Sequence, residues 1–142
     1  MSHTVLSRFL PDEAATIALG AELLDLLTGA PLVFLHGQLG AGKTTLVRGI
    51  LRALGHDGSV KSPTYTLLEP YDVAGRTIYH FDLYRIGGTE ELDFIGIDEL
   101  MDADAIKLVE WPERGAGRLP EPDVVIRLSL EGEGRRVEVS VQ

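Results

Sequence analysis

The stretch Gly37-Gln38-Leu39-Gly40-Ala41-Gly42-Lys43-Thr44 constrains this chain more than any other. It fits G-x-x-x-x-G-K-[ST], a loop whose glycines let the backbone turn its N–H groups inward onto phosphate oxygens. Such a loop works only between a strand and a helix, because the helix must bring its positive N-terminal end to the phosphates. Both flanks are legible. Leu32 to His36 is a short apolar run that predicts a buried strand. Lys43 to Leu54 predicts a helix, closed by Gly55. In this setting Lys43 is expected to reach the β- and γ-phosphates of a nucleoside triphosphate, and the Thr44 hydroxyl to bind Mg²⁺.

The rest of the chain completes an α/β pattern. Asp12 to Thr28 predicts a helix, with Leu19, Leu23, Leu26 and Leu27 on one face and Gly29 and Pro31 ending it. Strand signals recur at 65–68, 77–83, 106–110, 124–130 and 135–141. The last two alternate in polarity and are joined by Glu131-Gly132-Glu133-Gly134, a hairpin signature. Thr89 followed by Glu90 and Glu91 predicts the cap of a short helix towards Phe94. The expected fold is that of a P-loop NTPase. It has a single mixed, mostly parallel sheet flanked by helices and a C-terminal antiparallel hairpin, built by residues 1–142 as one domain.

Composition narrows the function. The chain has 142 residues, a net charge of −9 and no cysteine, so disulfides and Cys-ligated zinc are excluded. No apolar run approaches the length of a membrane span, and the first residues carry no secretory signal pattern, which fits the cytoplasm. A surface this acidic repels nucleic acid at long range. If the chain acts on nucleic acid, a partner is expected to hold it. The absence of asparagine excludes the Asn-Lys-x-Asp guanine reader of GTPases and favours ATP.

Mg²⁺ needs oxygen ligands beyond Thr44, usually an acid at the end of a neighbouring strand. Asp82 ends "TIYHFD" and Glu110 ends "AIKLVE". Each is either a solvated strand-end carboxylate or a group that binds the metal, directly or through water, or orients the attacking water. Ser62, Thr64 and Thr66 surround Pro63. They form either a loop that senses the γ-phosphate or an ordinary turn into a strand. His36 reads as a strand-end residue, His80 as a residue packed in the sheet, and Trp111 as core or contact surface. Arg85 reads as a phosphate or partner contact or a surface ion pair.

Taken together, "LPDEAAT", "GQLGAGKTTLVRG", "VKSPTYTLLEPY", "YHFDLYR", "EELDFIGIDE" and "LVEWPERG" resemble the bacterial TsaE (YjeE) family. This is the ATPase of the tRNA threonylcarbamoyladenosine pathway. The resemblance covers nearly the whole chain. It implies that Gly40 to Thr45 bind the phosphates of ATP and that Thr44 and Glu110 ligate Mg²⁺. Asp82 would be a water-mediated ligand or catalytic acid/base, and Ser62, Pro63 and Thr64 a switch-like loop. Glu13, Glu113 and Gly134 would lie around the nucleotide, and Trp111 near it or at a partner surface. The implied partner is the TsaB–TsaD heterodimer, in which TsaD modifies adenosine 37 of ANN-decoding tRNAs. The chain would meet tRNA only through that complex.

Two other readings share the loop. A small-molecule or nucleotide kinase needs an acceptor site and a lid. The sole candidate lid, residues 87–104, is acidic and lacks the arginines that usually close on phosphates. A pure nucleotide-dependent switch would hydrolyse ATP negligibly, and Asp82 and Glu110 argue instead for chemistry.

Overall fold

The computed structural model of the chain describes residues 2–63 and 66–142. Its elements run β1 (His3–Leu10), α1 (Glu13–Glu22), β2 (Leu32–His36), α2 (Lys43–Leu54), β3 (Leu68–Val73) and β4 (Arg76–Asp82). They continue with α3 (Glu90–Phe94), α4 (Ile97–Asp102), β5 (Ile106–Glu110), β6 (Val124–Glu131) and β7 (Gly134–Val141). All seven strands join one sheet in the order β1-β7-β6-β2-β5-β4-β3. The centre, β6-β2-β5-β4, is parallel; β1 and β7 on one side and β3 on the other pair antiparallel. This is a P-loop NTPase-type sheet, with the expected C-terminal hairpin turning at Gly132 (φ 58°).

Strand alternation divides the core between the two faces of the sheet. Val33, Leu35, Ile78, Leu108 and Ile126 pack with Leu19, Leu46 and Ile50 of α1 and α2. Leu32, Phe81 and Val109 pack with Leu92, Ile97 and Met101 of α3 and α4. Both faces of β2 are thus covered, as in a central parallel strand. Each fully buried leucine or isoleucine contributes about 1.5–3 kcal/mol by leaving water. Lys107, on the α4 side, is 4% exposed. Its ammonium donates to the carbonyls of Met101 (3.1 Å) and Ala103 (3.0 Å), so it closes the end of α4.

Several expectations need correction. The N-terminal helix is capped by Asp12, whose carboxylate accepts from the Ala15 amide at 2.9 Å, but it stops at Glu22. A separate 3₁₀ turn follows at Leu24–Leu27. Thr89 makes no side-chain cap; instead Glu91 accepts from the amides of Gly87 and Gly88. The strand expected at 65–68 starts only at Leu68 and runs to Val73. Tyr65 and the loop residue Thr64 lie outside the described residues. β1 and α4 were not anticipated. In β1 the inward positions Leu6 and Leu10 bracket Arg8, while Val5 and Phe9 point out, so polarity does not alternate cleanly.

α1 crosses α2 at a pair of glycines. A Cβ on Gly20 would lie 2.3 Å from the Gly49 carbonyl carbon, and one on Gly49 would lie 2.4 Å from the Ile17 oxygen. Only hydrogen fits at this crossing, and the crossing holds α1 beside the phosphate loop. Gly49→Ala is expected to lower stability by about 2–3 kcal/mol through forced separation of the helices. The midpoint of urea unfolding checks this.

Candidate functional site

The phosphate loop occupies residues 37–44, between the end of β2 and the start of α2. Gly40 (φ 82°) and Gly42 (φ 104°) adopt left-handed backbone, which explains glycine at both places. Gly37 is needed for space instead: a Cβ there would meet the Leu128 carbonyl oxygen at 2.8 Å. The Gln38 carbonyl accepts from the Ala41 amide at 3.0 Å, which tightens the turn. Ala41 is fully buried, whereas Gln38 and Leu39 are exposed.

β4 and β5 end beside this loop, with Asp82 in register with Glu110. A cleft of about 410 Å³ opens there, lined by Leu39, Gly40, Gly42, Lys43, Thr44, Thr45, Ser62, Asp82, Tyr84, Arg85, Glu110 and Trp111. The Thr44 hydroxyl donates to Glu110, 2.9 Å from Oε2 and 3.2 Å from Oε1. The Asp82 Oδ1 accepts from the Tyr84 amide at 3.0 Å, and the Ser62 hydroxyl stands 3.5 Å from Oδ2. Lys43 donates to the Gly37 carbonyl, and its ammonium lies 3.9 Å from the centre of the Trp111 ring. Trp111 holds a left-handed backbone (φ 58°) and packs against Tyr84, with ring centroids 4.8 Å apart.

Burial shapes the charges. It holds the Lys43 ammonium below the usual lysine range, opposed by the carboxylates of Glu110, Asp82 and Glu113. It pushes Asp82 above the usual carboxylate range, opposed by the Tyr84 amide and reinforced by Glu110. Burial first and Arg127 next hold the His36 imidazole below its ordinary value, opposed by Glu113, whose Oε1 stands 3.6 Å from Nδ1.

A second cleft of about 170 Å³ lies on the other side of the loop. It shares Gly40, Gly42 and Thr45 with the first, and adds Leu10, Asp12, Glu13, Thr16, Glu133, Gly134 and Arg135. Glu13 also stands 3.4 Å from Arg48. Arg135 donates to the Gly40 carbonyl at 3.1 Å, tying β7 to the loop. Gly134 has a structural reason of its own, because a Cβ there would lie 2.5 Å from the Leu10 oxygen.

The structure thus brings together Lys43, Thr44, Ser62, Asp82 and Glu110, and groups Glu13, Thr45 and Gly134 in the adjoining cleft. Glu113 stands beside His36, close enough to act on the charge of Lys43. Sequence reasoning missed three features. Trp111 seats Lys43, Arg135 braces the loop, and His80 reaches Glu110 with Nε2 2.6 Å from Oε2. The period-two spacing of His80 and Asp82 was the available signal for the last.

Thr44, Glu110 and Asp82 offer a hydroxyl and carboxylates, the hard oxygen donors that Mg²⁺ prefers. Among the described residues no group of three or more His, Asp and Glu side chains could hold a metal by itself. The residues therefore fit a cation that arrives with phosphate oxygens and water, as Mg²⁺ does. Among the described residues no helix is long and apolar enough to cross a membrane.

The chain is similar to known proteins along most of its length. The model of the family described as threonylcarbamoyl adenosine biosynthesis protein TsaE matches residues 10–137. The relative named tRNA threonylcarbamoyladenosine biosynthesis protein TsaE from Haemophilus influenzae is 46% identical over 142 residues, spanning 96% of this chain and 90% of that protein. The protein of the same name from Treponema pallidum is 41% identical over 117 residues, 82% of this chain and 84% of its own. The crystal structure of Bacillus subtilis YdiB superposes with a TM-score of 0.81 at 26% identity, covering 99% of this chain and 87% of that one.

The raised Asp82 carboxyl makes a stability prediction. Its ionised form is disfavoured in the fold, so the cost is full above the folded pKa and vanishes below the ordinary value of 3.8. Asp82→Asn is expected to raise the unfolding midpoint at pH 7 without nucleotide or Mg²⁺, with the gain fading as pH falls towards 4. Urea unfolding across that pH range reads it.

Proposed function

The chain belongs to the TsaE family, and on that premise we propose that it is a single-domain, ATP-hydrolysing accessory subunit acting in the cytoplasm. It binds the TsaB–TsaD heterodimer and supports threonylcarbamoyl transfer to adenosine 37 of tRNAs that decode ANN codons. The observation that carries the ATPase reading is the Thr44–Glu110 contact at 2.9 Å inside a cleft that Lys43 and Asp82 also line.

Charge supports the reading. Lys43 and Arg85 balance Asp82 and Glu110 around the cleft, so little is left to neutralise a triphosphate. Mg²⁺ bound with the nucleotide would supply that charge and polarise the γ-phosphate. Thr44 and Glu110 would hold it. Asp82 would bind it through water, or take the proton of the attacking water, and its raised proton affinity suits a base. Lys43 leaves Trp111 and Gly37 for the β- and γ-phosphates, and the amides of residues 40–45 cradle them. Water attacks the γ-phosphorus in line as the bond to ADP breaks. The second cleft takes the nucleoside end, with Glu13, Thr45 and Gly134 beside it, because the two clefts meet at Gly40, Gly42 and Thr45. Glu113 tunes Lys43 from nearby, and Ser62 with Thr64 senses the γ-phosphate. The acidic surface fits a protein whose partners carry the tRNA. The kinase alternative loses ground because its candidate lid is anchored by buried Leu92, Ile97 and Met101.

The test is ATP turnover of the chain alone and with TsaB–TsaD, together with tRNA modification over several cycles. Turnover that is slow alone and rises in the complex, with modification stalling when the chain is omitted, is expected. Turnover indifferent to TsaB–TsaD, with modification proceeding without the chain, contradicts the proposal. Within the site, Lys43→Ala is expected to lose nucleotide binding. Glu110→Ala should keep part of that binding but lower turnover about 100-fold or more. The quench of the chain's one tryptophan on adding ATP, beside a phosphate-release assay, separates the two effects.

A further inference from the structure

His80 is fully buried, yet the phosphate chemistry gives it no part. It sits on β4 two residues before Asp82, and strand alternation turns both side chains to the face that carries Glu110. Its Nε2 lies 2.6 Å from Glu110 Oε2, the oxygen that also accepts the Thr44 hydroxyl. Two lone pairs would repel at that distance, so Nε2 carries the hydrogen and donates it. Nδ1 is left without a hydrogen-bond partner among the described residues. A buried polar atom with no partner is costly. An apolar side chain would fill the same space without that cost, as Ile78 does two residues earlier on the same face. The imidazole is therefore explained by its one hydrogen bond rather than by packing.

We propose that His80 is a positioning residue. Its hydrogen bond fixes one oxygen of Glu110, so that the carboxylate presents its remaining lone pairs to the nucleotide-bound divalent cation beside Thr44. This rests on the reading of Glu110 as a cation ligand. Partners behind a metal ligand commonly set its orientation and are worth 10- to 100-fold in metal affinity. The effect belongs to binding of the cation with its nucleotide and is readable without turnover.

The experiment measures calorimetric affinity for a non-hydrolysable ATP analogue with Mg²⁺ and with EDTA, and takes the ratio. It compares the wild type, His80→Leu, His80→Gln and Glu110→Gln, each with its thermal unfolding midpoint. His80→Leu is expected to lower the ratio by about 10-fold. His80→Gln, whose amide can donate to Glu110, should stay within about 3-fold of wild type. Glu110→Gln should lose most of the Mg²⁺ dependence. A wild-type ratio in His80→Leu, with Glu110→Gln impaired, overturns the positioning role and leaves Glu110 as a ligand. A wild-type ratio in Glu110→Gln overturns the ligand reading, and the positioning role with it. Equal losses in His80→Leu and His80→Gln overturn it, since shape rather than the hydrogen bond would then matter. Failure of both His80 variants to fold at the assay temperature overturns it in favour of a purely structural role.

Discussion

Thr44 and Glu110 join the first turn of α2 to the end of β5, and the arrangement of the site follows from that contact. It can form only if β2 and β5 are parallel neighbours, because then the strand that feeds the loop and the strand that ends in the acid stop at the same edge. The parallel pairing in turn requires both faces of the sheet to be covered. α1 and α2 cover one face, and α3 and α4 the other. The close crossing at Gly20 and Gly49 sets how near α1 stands to the loop. Mutations far from the phosphates therefore reach the site through the helices that carry it.

The second constraint is charge held out of water. Lys43 is buried at 5% exposure, Asp82 at 6% and Glu110 at 3%. Each burial is unfavourable unless the group finds partners. Lys43 rests on the Gly37 carbonyl and the Trp111 ring, a placement that partly replaces water with a carbonyl and a π-face. The left-handed backbone of Trp111 is the strained element that holds the ring there. Glu110 accepts from Thr44 and His80, and Asp82 from the Tyr84 amide.

Much of this was legible in the sequence, for reasons that differ by element. The loop was plain because glycine, lysine and threonine at fixed spacing have one shared physical use. β2 was plain because a buried parallel strand reads as a continuous apolar run, and β5 was nearly so, with Lys107 interrupting it. Asp82 and Glu110 stood out as acids that end such runs. The β3–β4 hairpin was not legible, since it turns at Ala74 and Gly75 with φ of 52° and 80°, and alanine is a poor signal for a left-handed position. β1 was hidden by a charge on its inward face. The contacts of Arg135 with Gly40 and of Trp111 with Lys43 could not be read because they cross the sequence at long range. Only the folded sheet brings those pairs together.

A crystal structure of the chain with Mg²⁺ and a non-hydrolysable ATP analogue would show directly whether the cleft works as a nucleotide site. The β- and γ-phosphates are expected within the 37–44 loop, with Lys43 moved from Trp111 onto them. Mg²⁺ should stand about 2.1 Å from the Thr44 hydroxyl, with Glu110 completing its protein ligands. Phosphates bound elsewhere, or a Lys43 still seated on Trp111 with Glu110 remote from the cation, would contradict it.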